Sequence, residues 1–102
     1  QYLNVDSILP STNQITVFPA YPNPFNPQIF FQFFVPEQMG ELKSEIRIYD
    51  LTGKIVDEIN SNIIRPGLNK TIWNAKGYTS GTYFVQLEAE KKLYNQKIQL
   101  VK

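Results

Sequence analysis

Residues 21–35 read YPNPFNPQIFFQFFV, a proline-rich heptapeptide that leads directly into an apolar run. Each proline fixes its own φ and lacks a backbone donor, and each favours an extended conformation in the residue before it. No helix or central strand can pass through such a segment. We therefore expect the heptapeptide (residues 21–27) to form a rigid, extended connector whose prolines prevent strand pairing, with Phe25 as a buried plug.

The apolar run that follows has the two-residue alternation of a β-strand. Four apolar side chains share one side of residues 28–35: Ile29, Phe31, Phe33 and Val35. The two glutamines assign the other side to solvent, which leaves Phe30 and Phe34 on the outer face. We expect these two phenylalanines either to form a contact surface or to be covered by residues 1–14.

Short β-branched or aromatic runs bounded by turn residues continue along the chain, which is the pattern of an all-β protein. The candidate strands are residues 15–18, 28–35, 44–51, 54–59, 69–73, 82–90 and 93–101. They predict an Ig-like antiparallel β-sandwich of about seven strands over residues 15–102. Residues 1–14 are polar and lack periodicity, which predicts a linker or tail from a preceding domain. The start at Gln1, without a methionine, predicts a piece of a longer protein.

Two glycine-containing turns separate predicted strands. Gly53 predicts a hairpin turn over residues 51–54, because glycine adopts positive φ at little steric cost. Asp50 lies beside this turn, where a carboxylate usually caps backbone donors. Gly81 ends the turn sequence Thr-Ser-Gly that precedes the next predicted strand.

The composition argues against several classes of function. The 102 residues include no cysteine and no histidine, which removes thiolate nucleophiles, the usual proton-transfer group near neutral pH and the commonest nitrogen ligand of metals. Asp57 and Glu58 are neighbours on a predicted strand, so they point to opposite faces and cannot act as a carboxylate pair. A net charge of +1 without a basic stripe gives no preference for nucleic acid. We expect no catalytic residue, no cofactor, no metal site and, since no run reaches about 20 apolar residues, no membrane span.

Aromatic residues are the basis of one alternative function. Trp73, Tyr78, Phe30 and Phe34 could form a sugar-binding platform, on a carbohydrate-binding or spacer module appended to a secreted enzyme. The competing interpretation is that Trp73 fills the sandwich core, where such folds commonly bury one tryptophan, and that Tyr78 packs over a loop. A buried Trp73 side chain would argue against the platform.

Four stretches together resemble the type A C-terminal sorting domain of the type IX secretion system. They are YPNPFNPQIFFQFFVPE (21–37), IRIYDLTGKIV (46–56), RPGLNKTIWNAKGYTSGTYFVQLEA (65–89) and KIQLVK (97–102). The resemblance covers most of residues 15–102, in order and at the family's spacing. One departure is Asn74-Ala75 after the tryptophan, where many members carry aspartate with glycine or alanine. A similar Ig-like module occurs in flagellar hook-capping proteins, so the fold alone leaves open a scaffolding role with self-association.

The resemblance implies a non-catalytic sorting signal that protein partners recognise. Such domains end secreted cargo proteins that an N-terminal signal has brought across the inner membrane, and they direct this cargo through an outer-membrane translocon. Surface-processing proteins then commonly remove the domain, and the cargo is released or attached to the cell surface. The implied partners are the translocon and these processing proteins, with an unknown cargo domain covalently preceding this one. The implied location is transiently periplasmic and finally secreted or at the cell surface, and we expect a monomer.

The matching positions give two sets of site residues. The family-signature and structural set is Tyr21, Pro22, Asn23, Pro24, Phe25, Asn26, Pro27, Gly53, Trp73, Gly81, Tyr83 and Phe84. For Gly81 and Tyr83, turn geometry and core packing are the competing explanation. The candidate recognition set is the last strand, Lys97, Ile98, Gln99, Leu100, Val101 and Lys102. Its terminal carboxylate and Lys102 must be accessible to solvent, and its edge could pair with a partner strand.

Overall fold

A computed structural model describes residues 14–59 and 63–102 of the chain. The predicted linker over residues 1–14 lies, apart from Gln14, outside the described residues. The described strands are β1 (Thr16–Val17), β2 (Gln28–Val35), β3 (Leu42–Asp50), β4 (Ile55–Ile59), β5 (Ile63–Ile64), β6 (Gly67–Asn74), β7 (Gly81–Ala89) and β8 (Lys92–Leu100). The described helical structure is one short 3-10 turn, Glu37–Met39.

The strands form two antiparallel sheets packed face to face. One sheet has the order β1-β2-β6. The other has the order β4-β3-β7-β8, and β5 pairs with the start of β3 beyond this path. The predicted all-β antiparallel sandwich is therefore confirmed. The prediction missed β5, because a two-residue strand is too short to show a periodic pattern.

Strand boundaries differ from the predicted ones by one or two residues, and the start of β6 differs for a clear physical reason. β6 begins at Gly67 rather than at Asn69, since the β2 pairing extends to Val35 opposite Gly67. Glycine weakens a strand signal in sequence because it lacks a side chain to pack. The partner strand, rather than the local sequence, sets where this strand starts.

The inward faces of both sheets form one hydrophobic core. β2 contributes its four alternate apolar residues, with Ile29 and Val35 fully buried. β3, β7 and β8 also contribute alternate residues to the core: Ile46, Ile48, Tyr83, Val85, Leu87, Ile98 and Leu100. A void of about 20 Å³ remains between the sheets, far below the several hundred Å³ of a typical ligand site. The interior is therefore a packed core and not a binding cavity.

Candidate recognition surface

The heptapeptide pairs directly with the last strand. Phe25 N–H donates to the Gln99 carbonyl at 2.9 Å, and Val101 N–H donates to the Phe25 carbonyl at 3.0 Å. These bonds form a parallel bridge between Phe25 and Leu100. The Asn23 side chain adds a bond from Nδ2 to the Lys97 carbonyl (3.2 Å) and accepts one at Oδ1 from Gln99 N–H (2.9 Å). The heptapeptide, near the start of the described chain, is thus hydrogen-bonded to the last strand, β8.

The expectation that the prolines prevent strand pairing is wrong at two positions. Besides the bridge at Phe25, Tyr21 exchanges two backbone bonds with Phe30, at 3.1 and 2.7 Å. Both Tyr21 and Phe25 stand between prolines and keep the N–H group that proline lacks. Isolated bridges form at these residues, and no continuous strand results.

Phe25 is the plug that the sequence predicted. Its side chain is 2% exposed, and its ring lies 5.9 Å from that of Trp73. Trp73 in turn lies 5.4 Å from Tyr78 and 5.6 Å from Tyr83, which completes a buried or half-buried aromatic cluster. Aromatic pairs at such separations add to the stabilisation that burial itself supplies. The cluster joins the heptapeptide to both sheets.

The position of Trp73 argues against a sugar-binding platform. The indole is 2% exposed, and its Nε1–H donates to Asp57 Oδ2 at 2.8 Å. Tyr78 is also engaged, since its hydroxyl donates to the Val56 carbonyl at 2.9 Å. Burial raises the pKa of Tyr78, and the nearby Asp57 carboxylate acts in the same direction. Trp73 therefore has no free face for stacking on a sugar, and Tyr78 is half-buried with its hydroxyl engaged.

Two glycines of the signature set have conformations that explain their presence. Gly53, in the hairpin turn between β3 and β4, has a φ of +90°, and Gly81, at the start of β7, has a φ of +151°. Side-chain-bearing residues rarely adopt either value. Asp50 caps the hairpin turn as expected, since its Oδ1 accepts bonds from the Thr52 backbone and side chain and from Lys54 N–H.

The aromatic residues after Gly81 lie on opposite faces of β7. Tyr83 is 5% exposed and its hydroxyl donates to the Thr79 carbonyl at 2.6 Å, so it has a structural role in the core. Phe84 lies on the outer face, half-buried, in register with Tyr49 on β3 and Lys97 on β8. The core therefore does not account for Phe84.

The candidate recognition set divides into buried and exposed residues. Ile98 and Leu100 are fully buried and form part of the core. Lys97, Val101 and Lys102 are exposed, and the Lys102 backbone N–H is held by Ser80 Oγ at 3.1 Å. A partner that binds this strand must therefore contact its exposed residues, because the buried ones cannot be reached without unfolding the sandwich.

The edge of the last strand is partly occupied by the chain itself. The heptapeptide covers it from Lys97 to Val101. Gln96 reaches across from the inner side, donating from Nε2 to the Phe18 carbonyl and accepting at Oε1 from Ala20 N–H. Within the part of the chain that the structure describes, no backbone pairs with this edge at Leu93 or Asn95. The end of β8 that the sequence suggested for pairing is thus occupied by the heptapeptide, and among the described residues the unpaired part of this edge is the first half of the strand.

A polar network on the outer face of the five-stranded sheet was missed by the sequence reasoning. Arg47 donates to Gln86 Oε1 at 3.0 Å and forms ion pairs with Glu45 and Glu88. Gln86 also accepts a bond from the Tyr49 hydroxyl and donates to Asn95. Alternation places these residues on one face, but it does not reveal which neighbouring strands bring them together. The network links the side chains of β3, β7 and β8.

The described residues were compared with what a metal site or a ligand groove requires. Among residues 14–59 and 63–102, no group of three Asp, Glu, His or Cys side chains is arranged to hold a metal ion. An open groove of about 430 Å³ runs beside the β7–β8 turn, lined by residues of both charges, including Lys43, Glu45, Glu88 and Lys91. No helix in the described part of the chain is long and apolar enough to cross a membrane.

The chain is thus a small antiparallel β-sandwich whose last strand is bound by the heptapeptide. Residues 19–101 match the family model described as a secretion system C-terminal sorting domain, and the chain belongs to this family. Members of the family are C-terminal sorting signals for type IX secretion and occur on secreted proteins. The sorting domain is non-catalytic. The predicted family is thus confirmed.

Two solved structures from Porphyromonas gingivalis share the fold. One is PorZ, described as an essential bacterial surface component of the type IX secretion system, with a TM-score of 0.57 and 20% identity over 84% of this chain. The other is dimeric latent PorU, with a TM-score of 0.65 and 17% identity over 85% of this chain. The chain spans only 11% of the PorZ chain and 9% of the PorU chain. No curated protein sequence is significantly similar to the chain.

Proposed function

We propose that residues 15–102 direct a covalently preceding cargo protein through the outer-membrane translocon of a type IX secretion system. The family match over residues 19–101 is the observation that carries this proposal. The cargo is then released or attached to the cell surface by surface-processing proteins. The domain acts as a monomer, and residues 1–14 are the linker that joins it to the cargo.

The exposed residues of the terminal strand are the proposed recognition element. Lys97, Val101 and Lys102 present their side chains to solvent, while the bonds from Asn23 and Phe25 fix the backbone that carries them. A pre-ordered element is favourable for recognition, because little conformational entropy is lost when the partner binds. The heptapeptide supports recognition by positioning the terminal strand.

Transfer of the signal to an unrelated protein tests the proposed function. Residues 15–102 are fused behind a reporter with an N-terminal export signal, in a host that has a type IX secretion system. We expect the reporter to reach the cell surface or the medium. The matched control is the same fusion in a strain that lacks the translocon, where the reporter should stay in the periplasm. Periplasmic retention of the folded fusion in the competent strain would contradict the proposal.

A further inference from the structure

The outer face of the three-stranded sheet carries aromatic and aliphatic side chains in two rows. Phe30 and Ile72 are registered neighbours in one row, and Phe34 and Leu68 in the other. Leu68 is 61% and Ile72 is 42% exposed. The rows are four residues apart along each strand, which corresponds to about 13 Å. Single exposed apolar residues are ordinary, but two registered apolar pairs on neighbouring strands, with the Gln32–Lys70 pair between them, form a larger apolar face.

The heptapeptide extends one of these rows. Tyr21 bridges to Phe30 through the backbone, and their rings lie 5.4 Å apart with an interplanar angle of 33°. Tyr21 is itself 40% exposed. The same heptapeptide that fixes the terminal strand therefore also orders this apolar face.

Lys70 lies between the two rows and is the single charged residue among the outward-facing positions of β2 and β6. Its Nζ is 4.3 Å from the centroid of the Phe30 ring and 5.8 Å from that of Tyr21. Within residues 14–59 and 63–102, no carboxylate forms an ion pair with it. Among the described residues, the face thus has one cation, Lys70, between its two apolar rows and no carboxylate paired with it.

This charge restricts what can cover the face. Burying an ammonium group without a counter-charge is costly, so an occupant must place a carboxylate over Lys70. A second copy of the chain, docked face to face about a two-fold axis at the centre, would instead oppose two Lys70 ammonium groups. Charge complementarity therefore favours a different protein over self-association.

We propose that the outer face of the three-stranded sheet docks a protein of the secretion machinery through an apolar surface with a central carboxylate. This inference rests on the proposed sorting function. It adds a second contact surface for the secretion machinery, on the sheet that does not contain the terminal strand. Apolar side chains of the partner pack on the two rows, and its carboxylate pairs with Lys70. Because this pair is enclosed by apolar contacts, it is screened less than an ordinary surface ion pair.

The proposal can be tested by crosslinking in the export-competent host described above. A photo-crosslinking phenylalanine analogue replaces Leu68 in the exported fusion, and the crosslinked protein and site are identified by mass spectrometry. We expect the crosslink to join a secretion-machinery protein next to an Asp or Glu. Lys70→Glu should lower both crosslink yield and surface delivery at least about tenfold. Lys70→Arg should retain both, and exchange of the partner's acidic residue for lysine should restore the Lys70→Glu fusion.

The matched control is Lys43→Glu, which reverses an exposed lysine on β3 in the other sheet and should change neither readout. Urea unfolding of each variant verifies that the sandwich is intact. A crosslink to residues 1–13 or to a second copy would overturn the proposal, because the chain itself would then cover the face. Delivery that is unaffected by Lys70→Glu would overturn it while leaving the sorting function intact. Failure of the unmodified fusion to be delivered would instead overturn both.

Discussion

Phe25 shows how one residue of the heptapeptide connects the two ends of the chain. Its ring is buried against Trp73, and its backbone pairs with Gln99 and Val101. The sequence predicted the buried ring, because Phe25 is the one large apolar side chain among the prolines and asparagines of residues 22–27. It could not predict the backbone partner, because the local pattern contains no information about a strand more than 70 residues away.

Phe25→Ala should destabilise the domain by about 3–5 kcal/mol, since it removes a large buried side chain from a core that cannot fully collapse around the gap. Urea unfolding followed by Trp73 fluorescence measures the change. Leu51→Ala removes a side chain that is 71% exposed and should change stability by less than about 0.5 kcal/mol. Equal stability of the two variants would show that Phe25 is not part of the core.

Asp57 is a structural carboxylate that the sequence left without a role. Asp57→Ala should cost about 1–3 kcal/mol, because the buried Trp73 Nε1–H would lose its acceptor. Asp57→Asn keeps an acceptor oxygen and should lose less. Glu58→Ala, at the exposed neighbouring position, is the matched control. If Asp57→Ala unfolded at the same urea concentration as that control, the bond would contribute nothing measurable.

Asp50 should make the hairpin turn sensitive to acid. Its bond from the Thr52 hydroxyl, with backbone bonds from Lys54 and Thr52, lowers the pKa of Asp50. A carboxyl with a lowered folded-state pKa contributes stability that is complete above its ordinary value of about 4 and is lost as the pH falls through the lower value.

Between pH 6 and pH 2, the unmodified domain should therefore lose more stability than Asp50→Asn does. Thr52→Ala, which removes the largest cause of the shift, should reduce this difference. Thermal unfolding across the pH range measures it. Identical pH profiles for the unmodified domain and Asp50→Asn would contradict the assignment.

Among the elements, we propose that the last strand combines a folding role and a recognition role in alternating residues. Alternation along the strand separates Ile98 and Leu100, which are buried, from Lys97 and Val101, which are exposed. What it could not provide was the neighbour: the edge beside Lys97 is covered by Asn23, 74 residues earlier in the chain. Strand edges pair through backbone groups that every residue possesses, so side-chain patterns do not identify the partner.

Removal of residues 97–102 should unfold the domain, because it deletes two fully buried core residues and the partner of the heptapeptide. Such a truncation cannot separate recognition from folding, but point substitutions can. Ile98→Ala should cost about 2–5 kcal/mol. The double variant Lys97→Ala, Lys102→Ala should stay within about 1 kcal/mol of the unmodified domain, since both side chains are exposed. Urea unfolding distinguishes them, and a large loss in the double variant would contradict the division of roles.

At the scale of the whole molecule, the sequence predicted the fold class, the core faces and the family from its periodicity and motifs. The two outer surfaces were less accessible to sequence reasoning. The sequence places Phe30 and Phe34 on an outer face. Only the register of β6 with β2 shows that Lys70 lies between the rows that contain them. Surfaces formed by several strands depend on topology, which single-strand patterns do not determine.

In the proposed function, this sandwich is a sorting signal whose folding residues and recognition residues occupy the same terminal strand. Surface delivery of a fused reporter by the Lys97→Ala, Lys102→Ala domain tests it most directly, with Lys43→Ala, Lys92→Ala as a control that also removes two exposed lysines. We expect the first variant to remain folded and to be delivered at least about tenfold less than the control, which corresponds to a loss of about 1.4 kcal/mol in recognition. Delivery of the folded first variant at the level of the control would contradict the claim.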